Sequence, residues 1–512
     1  MKKLLSLLLA ITLLFSLVGC RENASGQAGE TTVTTAPEET TVIAQTTSVE
    51  ETTLEPTTAA TTEATTAATT ETTTEVTTTE ATTVTTTAAT TVTTTQATTT
   101  TKATTVTTVT TKTSTSSSTT SGKKGFLSVD GRKIVDDNGK EYVIKAMGLS
   151  NKAHDYIPKS SWVNGITHTE ETYKELAEMG FNSVRFLFNY NLFEDDNNPY
   201  KYKKDGFEWI DLNIKWAKKY GIKLILNLHA PQGGFQSWDR EKYMFDGYHE
   251  GDALWMNSEY QKRFTALWAE IAKYYADEPT IIGYGLINEP MVAMDGINYN
   301  NLYAPEYQEC YDKYEKLIEN TVKSIRKYDK NHILFVERIV AFKDTNKTWG
   351  NWVDANDDCN FVLIDDPNVA YEFHFYKPGG FTHQEIGATD KLTIYGKNGG
   401  TQFEDLLKEL KPYVEFSKKY NVPVFCGEYG MKAVCFWDNA KGQNRGGAQW
   451  VKDVLGYLLE NGIGSGYHCY YGGNRNGNDF GMYVTYSQIK VGSSQRNEVL
   501  YQTFVDTFAK YK

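Results

Sequence analysis

From about residue 125 to the end of the chain, apolar positions follow two alternating rhythms. Short contiguous apolar runs have the pattern of strands buried on both faces. Longer stretches with apolar residues three and four apart have that of helices. The runs fall at 142–148, 182–188, 223–229, 281–288, 333–337, 369–376, 422–428 and 463–471. Helical spacing occupies 169–178, 209–219, 259–275, 306–327, 403–419, 449–459 and 498–509. In the third of these, Tyr260, Phe264, Leu267, Trp268, Ile271 and Tyr275 form one stripe. Only the segment between the fifth and sixth runs lacks a helical signal. Strict strand–helix alternation requires parallel strands joined by crossovers. Eight such units predict an α/β fold, a closed (β/α)₈ TIM barrel. Such a barrel typically needs about 250 residues, so long rim loops are expected as well.

Ahead of this region the pattern changes twice. Lys2 and Lys3 precede an apolar run from Leu4 to Val18 that is short for a bilayer span and reads as an export signal over residues 1–20. It ends Leu17-Val18-Gly19-Cys20, which resembles the lipobox of bacterial lipoproteins. That resemblance implies cleavage before Cys20, a lipid on its sulfur and anchoring at the cell surface. The alternative is an ordinary secretory signal. Residues 21–122 are nearly all Thr, Ala, Glu and Ser, with too little apolar surface to offset the entropy of ordering them. A disordered tether is expected there, leaving 123–512 as the folded domain.

Charge and cysteines narrow the class further. The net charge is −12, and no basic stripe of the kind nucleic acid requires is present. Of six cysteines, five follow Cys20, so complete internal pairing is ruled out, although one or two disulfides are allowed. No Cys-x-x-Cys or Cys/His spacing suggests zinc. No metal or organic cofactor is implied, and the domain is expected to act as a monomer.

The predicted strand ends carry the chemistry. The second run holds Arg185, the third ends Asn227-Leu228-His229, the fourth Asn288-Glu289-Pro290, and the sixth His374-Phe375-Tyr376. The seventh delivers Glu428 within Gly427-Glu428-Tyr429-Gly430. Polar groups at the ends of otherwise apolar strands are costly to bury without partners. Barrel enzymes gather their chemistry at that rim. Two carboxyl groups facing one cleft are what glycosidic bond hydrolysis requires: one donates a proton, the other acts as nucleophile or base. The donor must stay protonated near neutrality, and the nucleophile must stay ionised, as a neighbouring cation such as Arg185 would favour.

With these motifs in view, residues 123–512 resemble glycoside hydrolase family 5, the cellulase family of the retaining barrels often called clan A. The resemblance covers essentially the whole domain, and Asn-Glu-Pro and Gly-Glu-Tyr-Gly are its most specific marks. It implies Glu289 as acid/base and Glu428 as nucleophile. It implies Asn288 on the sugar 2-hydroxyl, Arg185 and Tyr376 holding Glu428, and His229 and His374 lining the cleavage subsite. One family feature is missing. The tryptophan usually supplied by the eighth strand is absent from Gly466-Tyr467-His468-Cys469-Tyr470-Tyr471, leaving Tyr470, His468 or a loop aromatic for its place.

Other acids are weighed differently. Glu337, ending the fifth run, is expected to play a structural part behind the site, and Glu372 to face inward beside His374. In the long loop after His229, Trp238 and Trp255 are candidate sugar platforms, as is Trp437 after the seventh strand. The expected activity is endo-cleavage of β-1,4-glucan by retaining double displacement. Alternatives are the same mechanism on mannan, xylan or β-1,3-glucan, and a surface lipoprotein that binds oligosaccharide without cutting it. The anchor is testable by fractionation: Cys20→Ala should release the protein from membranes, and persistent binding would place the anchor elsewhere.

Overall fold

The computed structural model describes residues 123–150, 168–234, 253–294, 305–344, 358–385, 393–396, 402–436, 445–472, 479–484 and 490–511. The signal, Cys20 and the Thr-rich tether lie outside the described residues.

Eight parallel strands close into a barrel: β1 (Lys145–Leu149), β2 (Ser183–Asn189), β3 (Lys223–Ala230), β4 (Ile281–Gly285), β5 (Ile333–Glu337), β6 (Val369–Phe375), β7 (Val424–Tyr429) and β8 (Gly464–Tyr467). Each pairs with the next in sequence, and β8 pairs with β1. Around them run α1 (Glu170–Met179), α2 (Lys204–Tyr220), α3 (Ser258–Tyr275), α4 (Pro305–Ile325), α5 (Phe403–Tyr420), α6 (Gly447–Glu460) and α7 (Glu498–Lys510). The fold is the (β/α)₈ barrel that the alternation predicts. Among the described residues no helix joins β5 to β6, matching the missing signal there.

Local chemistry sets the element ends. Helix α1 starts at Thr169, whose side chain and that of Thr172 form a reciprocal capping box. It stops at Gly180, whose φ of 99° is the left-handed conformation that a residue without Cβ adopts without clash. The barrel interior is filled by Ala146, Ile225, Ile282, Ile333, Phe335, Ala370 and Phe425. Leu127 and Ile134 join the same cluster from a small hairpin, Ser128–Asp130 with Lys133–Val135, which periodicity had not predicted. A far larger apolar layer lies between strands and helices. That part of the barrel is therefore largely apolar, and polar side chains collect toward the other rim.

Two further short parallel pairs were also unforeseen. Met291–Met294 pairs with Ala341–Asp344, just beyond the ends of β4 and β5. Tyr471–Gly472 pairs with Tyr483–Val484, beyond β8. Both are too short for a periodic signal, and both stabilise backbone next to the polar rim.

Candidate active site

The polar rim is organised around Arg185, fully buried on β2. Its Nη1 donates to Glu428 Oε1 at 2.6 Å, and Nη2 donates to Asn288 Oδ1 at 2.8 Å. Nη2 also lies 2.9 Å from Glu372 Oε1. Glu372 and His374 occupy alternate positions of β6, so both point inward. A register shift between Phe373 and His374 sets His374 opposite Glu428. Such an irregularity re-aims a side chain without ending the strand.

Glu428 accepts a second hydrogen bond from Tyr376 Oη, at 2.7 Å to Oε2. Its carboxyl is almost fully buried, which by itself would raise its pKa. The charges of His374, His468, Arg185 and His229 outweigh burial and hold it well below the ordinary carboxylate range. Burial and the Glu428 charge push the Tyr376 hydroxyl far up, so it remains a donor.

Glu289 reaches the same space from the β4 side. The strand ends at Gly285, three residues earlier than expected, and the chain then turns so that Glu289 sits at φ 43°. A non-glycine residue with that sign of φ is uncommon and marks a constrained position. The Glu289 N–H donates to Glu337 Oε2 at 2.8 Å, and Glu289 Oε1 lies 2.9 Å from His374 Nδ1. Just beyond, Val340 N–H donates to Pro290 O, continuous with the Met291–Met294 pair that fixes this turn from outside. One carboxylate oxygen of Glu289, one of Glu428 and a ring nitrogen of His374 all lie within 4.8 Å of one another. The Glu289 side chain is 22% exposed, against 6% for Glu428. The pair is thus close, open to solvent on one side and asymmetric in its partners.

The motif around Glu428 has a steric reason. A Cβ on Gly427 would come 1.7 Å from Glu372 Oε1, so only glycine lets β7 pass the buried carboxylate that faces Arg185. Among the described residues, two sets of atoms converge as cation ligands would: Glu289, His374 and Glu428, and Glu337, Glu372 and His374. The Arg185 guanidinium already supplies the cation that this cluster of acids requires, held against Glu428 and Glu372.

Arg185, Asn288, Glu289, His374, Tyr376 and Glu428 therefore come together, with His229 near enough to act on the Glu428 charge. Two expected residues, Tyr470 and Trp255, do not join them as foreseen. Tyr470 is buried behind the rim, its hydroxyl donating to Glu175 Oε2 at 2.8 Å. Glu175 also accepts from Tyr483 and Arg496, so this cluster tethers the segment after β8 to α1. Trp255 is 2% exposed and packs on Tyr314 with ring centroids 6.2 Å apart, so it serves the core rather than the cleft. Trp238 and Trp437 lie outside the described residues.

His468, one of the residues considered for the place of the missing tryptophan, lies at the rim beside Glu428. Its Nδ1 lies 3.8 Å from Glu428 Oε2, and its ring meets Phe480 and Tyr376 edge-on. Phe480 and His383 extend this aromatic wall beside Tyr376. Neither was anticipated, because both sit on rim segments with no strand periodicity to point them inward.

Comparison with known proteins follows the same lines. A family model for cellulase (glycosyl hydrolase family 5) matches residues 135–474. Endoglucanase C of Acetivibrio thermocellus is 29% identical over 325 residues, covering 58% of this chain and 82% of that protein. A beta-xylosidase of Phanerodontia chrysosporium is 28% identical over 289 residues, 50% of this chain and 53% of that one. A solved hyperthermophilic endo-beta-1,4-glucanase, in complex with substrate, has a TM-score of 0.50 at 21% identity. It covers 71% of this chain and 97% of its own, and at that identity the likeness speaks to the fold.

Proposed function

Since the chain belongs to the cellulase family, glycosyl hydrolase family 5, and is a glycoside hydrolase, we propose that it is an endo-acting β-glycanase that cleaves β-1,4-glucan with retention of configuration. The observation that carries this reading is the pair of carboxylates, with oxygens within 4.8 Å. Retaining glycosidases space their carboxyl groups about 5–5.5 Å apart, whereas inverting enzymes need roughly 6.5–9.5 Å to admit a water.

The asymmetry around the pair assigns the roles. Glu428, clamped by Arg185 and Tyr376 and held ionised, is the nucleophile. Glu289, more exposed and beside His374, is the acid/base. In the first step a Glu428 oxygen attacks the anomeric carbon while the glycosidic C–O bond breaks and Glu289 passes its proton to the departing oxygen. The resulting ester removes the Glu428 negative charge. Glu289, now a carboxylate, takes a proton from water as the water oxygen attacks the anomeric carbon, and Glu428 is released. Asn288, fixed by Arg185, is poised for the sugar 2-hydroxyl. His468 and Phe480 form the aromatic side of the cleft.

The glucan preference draws support from the endoglucanase relative, and the beta-xylosidase relative keeps xylan as the competitor. Exported and tethered through Cys20, the enzyme would meet its polymer outside the cell. Initial rates on carboxymethylcellulose, glucomannan, mannan, xylan and laminarin decide the substrate, and inactivity on every β-1,4-glucan would end that assignment. Glu289→Ala should lower turnover on glucan by roughly 10²–10⁴-fold, as loss of a positioned acid/base does. Undiminished turnover would contradict its role.

The depressed Glu428 pKa has a definite sign. Its folded value lies below the unfolded one, so its ionised form contributes stability above the ordinary carboxylate range. That contribution is lost as pH falls through the folded value. Removing one of the cations that depress it should raise that value. His468→Gln is therefore expected to move the acidic limb of the kcat/KM profile to higher pH. An unmoved limb would show that His468 does not act on the Glu428 charge.

A further inference from the structure

We propose that Glu337, too deeply buried to touch substrate, is the positioning residue that holds Glu289 in place for proton transfer, a reading that rests on the roles given above. Glu289 occupies left-handed backbone, a state that costs about 1–3 kcal/mol and persists only where surrounding structure over-determines it. The following Pro290 narrows the choices further by restricting the residue before it.

Glu337 supplies that determination at both ends of Glu289. Its Oε2 accepts the Glu289 N–H at 2.8 Å, fixing the backbone. Among the described residues its Oε1 has no hydrogen-bond partner, and it faces His374 Nε2 at 3.5 Å. The other ring nitrogen of His374 lies 2.9 Å from Glu289 Oε1, fixing the carboxyl. Glu289, Glu337 and His374 thus form a closed ring, with Glu337 as its anchor in the barrel wall.

That anchor is itself immobilised. Glu337 is the last residue of β5, paired in register with Glu372 of β6, and its carbonyl accepts from Tyr314 Oη at 2.5 Å. Its side chain is 0% exposed. Burial, opposed by His374 and reinforced by Glu372 and Glu289, holds the Glu337 carboxyl well above the usual range. A neutral carboxyl still accepts a backbone N–H through its carbonyl oxygen. The amide of glutamine can do the same.

The leaving group separates positioning from general stability. The dinitrophenolate of a dinitrophenyl glycoside departs without protonation, whereas the sugar alcohol released from a glucan oligosaccharide requires it. Glu337→Ala should lower kcat/KM on the oligosaccharide by roughly 10–10²-fold, the scale of an ångström-size misplacement. It should leave the dinitrophenyl glycoside within a few-fold of wild type. Glu337→Gln should retain near-wild-type rates on both. If the alanine variant does not fold, Glu337→Asp, with its carboxyl withdrawn by one methylene, should show the same selective loss. Equal loss on both substrates, no loss on either, or a glutamine variant as impaired as alanine would overturn the proposal. Glu289→Ala is measured alongside: wild-type rates in that variant would sink the assignment of the acid/base itself, and this inference with it.

Discussion

A guanidinium with no exposed surface, surrounded by acids, is the constraint on which the rim depends. Arg185 contacts Glu428, Glu372 and Asn288 with two terminal nitrogens. Removing one partner from such a buried cluster typically costs about 3–5 kcal/mol, because the remaining charges are left uncompensated. Replacing the whole cluster with well-packed apolar residues of similar volume is often neutral or stabilising by about 1–4 kcal/mol. The cluster is therefore not explained by the stability of the fold. It is accounted for at Glu428, where His374, His468 and Arg185 together hold the carboxyl below its ordinary range although burial alone would raise it.

From that ion pair the rest of the site follows in order. Arg185 fixes Glu428 on β7 and Asn288 in the turn that follows β4, so it ties together the two motifs that carry the carboxylates. Gly427 gives Glu372 the space to face the guanidinium. His374 stands between Glu289 and Glu428 on one side and Glu337 and Glu372 on the other, within 3.5 Å of each. The proposed double displacement uses this arrangement directly. In that proposal the nucleophile is charge-stabilised from behind, and the proton donor is held by backbone and ring from a neighbouring strand.

The barrel was legible because its strands are buried on both faces and its helices are amphipathic, two periods that a single chain displays plainly. The lack of a helical period between β5 and β6 agrees with the described residues there, which form no helix joining the two strands. Glu289 and Glu428 stood out because each ends an apolar run with a charge, a conflict of the kind expected at functional sites. What stayed hidden depends on contacts distant in sequence. Tyr470 looked like a platform, but Glu175, with Tyr483 and Arg496, draws its hydroxyl behind the rim. Trp255 looked like a sugar platform until Tyr314 was seen to cover it. The left-handed turn at Glu289 gives no periodic signal, so β4 was expected to run three residues too far. His383 and Phe480 lie on irregular segments whose direction is set only by the packed rim.

The central claim is that Glu428, kept ionised by His374, His468 and Arg185, attacks the sugar from the face opposite the leaving group and is then displaced by water arriving from the face that group vacated. Proton NMR of the first product released from a β-glucan oligosaccharide, recorded before mutarotation, tests this most directly. The account predicts that the new reducing end appears first as the β-anomer and only later equilibrates. Initial appearance of the α-anomer would mean that water attacks in a single inverting step, and it would contradict the role assigned to Glu428.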